Sequence, residues 1–243
     1  MLNKLACLVI CTIGLFAEDN KLTIYMGGKP TATETYTVAK DDNKIEISGT
    51  ANAQIGTMKV SIDKFDLIED AKYQPVSVDA KATLGQMKIS HVVTFADGKA
   101  KDEATTGQVT KSKEDVIHPD TLVINSTLPM FAWSVLAFRA KAEGSDPQSF
   151  YAYVVGQGEN PVTVVSKGIE NVEFAGQKAN LNHFVVTFKQ SAAGDPVTAD
   201  LWVNDARRII KIAVPAQSVE AYQDGYAPVP KPEAPDKETK PQQ

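Results

Sequence analysis

The chain has 243 residues, 43% of them apolar, with a formal net charge of −5 and two cysteines, Cys7 and Cys11. The acidic balance argues against nucleic acid as a partner and, weakly, against anionic lipid headgroups. The length suffices for one all-β domain, or two small ones, with a core of its own.

Met1 to Lys4 is a short basic start, Leu5 to Phe16 is an apolar run, and Ala17 closes it before the charged Glu18 and Asp19. That order predicts a secretory signal peptide over residues 1–17, and a dozen or so apolar residues fall short of the ~20 that span a bilayer. The protein is therefore expected to be exported, to the periplasm or, as the alternative, outside the cell, with no transmembrane segment. Processing after Ala17 removes both cysteines and the single charge of Lys4, leaving a net −6 and no disulfide, thiol nucleophile or thiolate metal site. Lipidation at Cys11 is disfavoured, because Leu8-Val9-Ile10 lacks the small residue wanted before a modified cysteine.

Residues 18–221 read as a single antiparallel β domain. Leu22, Ile24 and Met26 alternate with polar neighbours, as do Tyr36 and Val38, Ile45 and Ile47, and Met58, Val60 and Ile62. Val76 to Leu84 and Met87 to Phe95 continue the period of two that marks half-buried strands. Gly27-Gly28, Asp41-Asp42-Asn43, Gly56, Gly85-Gln86 and Asp97-Gly98 separate the runs, and links this short join antiparallel neighbours. Near Leu128 the period changes, and LPMFAWSVLAFRAKAEG predicts one helix over 128–142, with Thr127 as cap and Gly144 as stop. Strands resume at Phe150–Val155, Val162–Val165, Ile169–Phe174, His183–Phe188, Ala199–Val203 and Ile209–Val214. The total is about ten to twelve strands. Residues 222–243 carry five prolines and charges with no aliphatic run, which predicts a disordered tail.

The helix is the strongest functional candidate. At 100° per residue Phe131, Val135 and Phe138 fall on one side, with Trp133, Leu136 and Ala140 roughly opposite. A helix lying on one sheet needs a single apolar face. The second is either covered by loops and sheet edges or lines a site for an apolar ligand, with Met130, Phe131, Trp133, Leu136 and Phe138 as its candidate residues. The three histidines, His91, His118 and His183, lack metal-site spacing and fit structural or surface roles. No GxSxG elbow and no phosphate-cradling glycine loop is present, so no enzyme, metal or cofactor is predicted; a hydrolase with a dispersed site is the enzymatic alternative.

Taken together, the signal peptide, the meander from Leu22 to Phe95, the apolar helix and the hairpin LWVNDARRIIKIAV resemble the open-barrel lipoprotein carriers of the LolA/LolB type and their exported relatives. The resemblance covers about residues 20–221. It implies a strongly curved antiparallel sheet, an open or half barrel around an apolar hollow, with one apolar helix packed on it, and a non-enzymatic envelope protein binding a lipid or acyl chain between sheet and helix. The alternative is a structural or protein-interaction module of the envelope with a fully packed core.

Overall fold

The computed structural model describes residues 18–125, 128–174, 176–189 and 195–226. The expected signal peptide, the Thr127 cap and residues 227–243 lie outside them. The N-terminal half is a meander of β1 (Glu18–Met26), β2 (Lys29–Lys40), β3 (Lys44–Ile55), β4 (Met58–Asp70), β5 (Pro75–Leu84), β6 (Met87–Ala96), β7 (Lys99–Thr106) and β8 (Val109–Val116). The short β9 (Thr121–Val123) leads to a 3₁₀ turn, Met130–Trp133, that runs directly into α1 (Ser134–Arg139). A second meander follows: β10 (Gln148–Val154), β11 (Gly158–Phe174), β12 (Gln177–Lys189), β13 (Pro196–Val203) and β14 (Ile209–Val214). The last strand is β15 (Val219–Gln223).

All fifteen strands form one sheet, ordered β8-β7-β6-β5-β4-β3-β2-β1-β15-β14-β13-β12-β11-β10-β9. Every pairing is antiparallel except β9 with β10. The sheet is not closed, and β8 and β9 are its edges. It curls on itself instead. The turn after β10 sits on the inner face of β6 and β7, where the Gly156 N–H donates to Asp102 at 3.1 Å, and the Lys113 Nζ donates to the Gln157 carbonyl at 3.4 Å.

Fifteen strands exceed the expected ten to twelve, for identifiable reasons. β7 and β8 read KAKDEATT and VTKSKEDV, and β8 is almost wholly exposed, so neither shows an apolar alternation. β9 has only three residues, and β15 was hidden by the composition of the chain that follows it. Tyr222 and Gln223 thus belong to the sheet, not to the tail expected over 222–243. The runs at 162–165 and 169–174 are one strand, β11, broken by a bulge between Ser166 and Gly168.

The helix is also shorter than the expected 128–142. Beyond Arg139 the backbone turns extended at Ala140, and side chains take over the polar groups a longer helix would have used. Arg207 Nη1 donates to the Ala140 carbonyl at 2.9 Å. Gln148 brackets Lys141, accepting its N–H at 2.8 Å and donating to its carbonyl at 3.0 Å. Such side-chain bonds offer the chain an alternative to the helical ladder.

One face of each strand lines the inside of the curl. Leu22, Tyr36, Ile45, Ile47, Phe65, Leu67, Val78 and Val93 are buried there, with Phe184, Val186, Leu201 and Ile212 from the second meander. A bulge in β4 between Ile62 and Lys64, opposite Gly49 and Ala51 of β3, keeps this face continuous, so that Met58, Val60 and Ile62 share it with Phe65 and Leu67. Gly49 is needed opposite the bulge. A Cβ there would lie 2.5 Å from the Thr35 carbonyl oxygen and 2.9 Å from the Phe131 ring.

Candidate functional site

The helical segment runs inside the curl, which explains its two apolar faces: each meets a different part of the sheet. Phe131 stacks on Tyr36 with ring centroids 5.2 Å apart and meets the edge of Phe65 at 5.7 Å. Trp133 meets Phe188 edge-on at 5.3 Å, and its Nε1–H donates to the Asn125 carbonyl at 2.8 Å. Phe131, Trp133 and Leu136 are fully buried, while Phe138 is half-buried and stacks on Tyr73. The five predicted ligand residues are therefore not gathered around one hollow. Of them, Met130 alone lines an apolar pocket.

What seats the segment is a residue the sequence reading passed over. Glu34 lies in the inner register of β2 between Ala32 and Tyr36, fully buried, and accepts the backbone N–H groups of Met130 at 2.7 Å and Phe131 at 2.8 Å. It satisfies two of the donors left orphaned where a helical segment begins. Burial pushes its carboxyl up to about 8, against the opposing pull of the two N–H donors. A carboxylate in an otherwise apolar register of TATETYTV was the available signal. A second buried carboxyl, Glu69, has no hydrogen-bond partner among the described residues on either oxygen. Burial raises it to about 8 as well, with Arg139 pulling downward.

The Met130 pocket holds about 110 Å³ and is lined by Ile24, Met26, Ala32, Ala53, Ile55, Leu128, Val214 and Val219 beside Met130. It opens at the end of the sheet where the β1–β2, β3–β4 and β5–β6 hairpins turn. From it an apolar row crosses the inner face, partner to partner: Ala32 faces Ala53, Ala53 faces Val60, Val60 faces Leu84 and Leu84 faces Met87. Exposure grows along the row, from buried Ala32 through half-buried Ala53, Val60 and Leu84 to Met87 at 47%. The helical segment plugs the opposite half of the curl and leaves this half uncovered. A larger groove of about 680 Å³ lies on the outer face of the same strands, lined by Thr31, Thr33, Asn52, Gln54, Lys59 and Ser61 among others. Its lining also includes Ala32, Ala53 and Val60, but it is more polar than that of the Met130 pocket and more open to solvent, so the smaller pocket is the better seat for an apolar molecule.

Each histidine is tied to a carboxylate. His91 Nδ1 lies 2.9 Å from buried Asp102, His183 lies between Glu170 at 2.9 Å and Asp200 at 2.8 Å, and His118 contacts Glu159 while stacking on Tyr151. His91 and Asp102 pin the turn after β10 to the inner face. His183 stacks on Trp202 within a second apolar cluster formed by Phe174, Leu181, Trp202, Ile210 and Tyr222. These contacts are structural. Among the described residues no group of three or more His, Cys, Asp or Glu is arranged to hold a metal ion. Nor is any helix among them long and apolar enough to cross a membrane.

No family model matches the chain, and no curated protein does. In fold the chain is similar to the crystal structure of a beta-barrel-like protein of the domain of unknown function DUF1849 from Brucella abortus. The TM-score is 0.54, the match covers 85% of this chain and 93% of that one, and the identity is 11%, so the likeness is one of fold alone.

Proposed function

We propose that this is an exported, non-enzymatic envelope protein that binds a hydrophobic ligand, a lipid or acyl chain, on the uncovered half of its inner sheet face. The observation that carries the reading is the apolar row from Ala32 to Met87, continuous with the Met130 pocket and left open by the plug. A packed core would bury such a row. Here it grows more exposed with distance from the pocket, as a surface meant to be covered by something else would. Export rests on residues 1–17, and the expected processing point directly precedes β1.

The test is an apolar fluorescent probe titrated against the protein and against Ala53→Leu, which fills the pocket. Saturable binding that weakens by about tenfold in the variant supports the reading, one added isobutyl group being enough to occupy much of a pocket this small. Lipid extraction and mass spectrometry would identify the natural occupant. No saturable binding, or equal binding by both proteins, overturns the assignment. One observation favours the second reading, an interaction module with a packed core. From Met130 to Ala137 the helical segment is buried on all sides, and Phe131, Trp133 and Leu136 face no hollow.

A further inference from the structure

Among the described residues nine large apolar side chains are exposed, and five of them sit at one end of the sheet, at the tips of consecutive hairpins. Met26 (46%) flanks the β1–β2 turn, Ile55 (48%) and Met58 (44%) the β3–β4 turn, Met87 (47%) the β5–β6 turn and Val109 (60%) the β7–β8 turn. The last three turns are built alike. IGTMKVS (55–61), LGQMKIS (84–90) and TGQVTKS (106–112) place glycine first in a two-residue turn, at φ of +60°, +62° and +62°, as a type II′ hairpin demands. Three turns of one design therefore present an apolar residue at the same place. With strands about 4.8 Å apart, β1 to β8 extend this rim over roughly 34 Å of arc.

The rim also departs from the charge of the whole chain. Residues 20–33, 51–62, 80–96 and 104–113 contain no Asp or Glu, in a protein of net charge −5. Lys29, Lys59, Lys88 and Lys111 stand exposed directly behind the tips. None of these four forms an ion pair among the described residues, whereas Lys44, Lys64, Lys99, Lys101, Lys113 and Lys211 all do. Asp63, whose carboxylate feels the charge of Lys88, is already held by Ser61 at 2.7 Å and Thr83 at 2.6 Å. At the other end of the sheet three turns of the same meander carry acids, Asp41-Asp42, Asp70 and Asp97, while the β13–β14 turn carries Asp205 with Arg207 and Arg208. Net charge weighed against anionic headgroups only while it was treated as evenly spread.

We propose that the hairpin rim Met26–Ile55–Met58–Met87–Val109, backed by Lys29, Lys59, Lys88 and Lys111, is a docking surface for an anionic phospholipid bilayer. Short apolar tips reach the boundary between headgroups and acyl chains, and lysine stems cover apolar surface while their ammonium groups stay at headgroup level. A protein partner would be met by a broad face with a fully buried centre. These side chains instead stand along a narrow line, each hairpin tip with its own cation. The proposal goes beyond the ligand reading and does not rest on it.

The test is sedimentation of the processed protein with vesicles of phosphatidylcholine alone and of phosphatidylcholine with phosphatidylglycerol, at low and at physiological salt. Binding to the anionic vesicles, weakened by salt, is expected, because near-surface lysines act through a screened potential. Lys29→Glu, Lys59→Glu and Lys88→Glu together should weaken it about tenfold or more, and Met58→Ser with Met87→Ser should weaken it as well. Lys72→Glu with Lys178→Glu, at the opposite end, should leave it unchanged. Equal sedimentation with both vesicle types, binding retained by the triple variant, or equal loss in rim and control variants overturns the proposal. Ala53→Leu, designed to block the probe, should still sediment, so failure of the ligand reading and failure of the docking surface give different patterns.

Discussion

At the scale of single residues, the two buried glutamates set how stability responds to pH. Glu34 and Glu69 each hold their proton to about pH 8 in the folded protein, against 4.5 as the ordinary value. Between those values the folded state binds more protons than the unfolded one, so stability falls as pH rises. Their contribution is present in full below about pH 4.5 and is lost as pH climbs through 8. Denaturant unfolding at pH 5.5, 7 and 8.5 should show a steady decline, and Glu69→Gln, which removes one of the two charges, should flatten it. A profile that rises toward pH 8.5, or a variant with the wild-type slope, would show that these carboxyls are ionised in the native protein. Glu34→Ala has a different consequence. It strands the Met130 and Phe131 N–H groups in the core, which at ~1–3 kcal/mol for each buried unsatisfied donor makes it one of the costlier substitutions in the chain.

At the scale of elements, the helical segment is a plug, and its side chains should rank by what they touch. Phe131 fills the space between Tyr36 and Phe65 and presses on Gly49, so Phe131→Ala should cost about 3–5 kcal/mol through lost transfer energy and the cavity left behind. Phe138 is half-buried with Tyr73 as its ring partner, so Phe138→Ala should cost less than half as much. Equal losses in chemical denaturation would mean that the outer end of the segment is as firmly packed as its start. The two apolar faces of this segment were legible from 100° spacing alone, and so was the antiparallel meander, because Leu22 to Phe95 alternate on every strand but the most polar. What covers the second face was not legible. It depends on β12, which supplies Phe188 from more than fifty residues further along the chain. β7 and β8 escaped notice because a strand at a solvated edge has no need of apolar residues, and period-two patterning reports burial, not pairing. The apolar row escaped for a related reason. A bulge shifts the phase along β4, from Met58, Val60 and Ile62 to Phe65 and Leu67, and a strict alternation cannot be carried across it from sequence. The triple repeat at the hairpin tips, by contrast, was there to be read in residues 55–61, 84–90 and 106–112.

At the scale of the whole molecule, everything turns on where the last strand goes. β1–β8 form one continuous meander and β10–β14 another, and each is built from links between neighbours in sequence. The two meet through β15, which pairs with β1 from Leu22↔Gln223 to Met26↔Val219 and with β14 from Lys211↔Tyr222 to Val214↔Val219. Five residues near the end of the described chain therefore close the longest loop in the protein and complete the central part of the sheet. Tyr222 adds to the seam, its ring 5.1 Å from Lys211 Nζ and edge-on to Tyr25 at 5.8 Å. Two truncations should then behave very differently. Removing 227–243 deletes five prolines together with charges and no aliphatic run, and should shift the thermal midpoint by less than about 3 °C. Removing 219–243 strips β1 and β14 of a partner each, exposes Leu22, Ile24 and Ile212, and leaves two half-sheets held together through the plug and the turn after β10. Without β15 the cooperative transition should be lost or split in two, since each meander keeps its local pairings while the seam between them is gone. A single sharp transition in the shorter protein, near the midpoint of the full one, would show that packing around Phe131 and Trp133 joins the halves without the strand. Loss of cooperativity on removing 227–243 as well would place part of the seam beyond Tyr226.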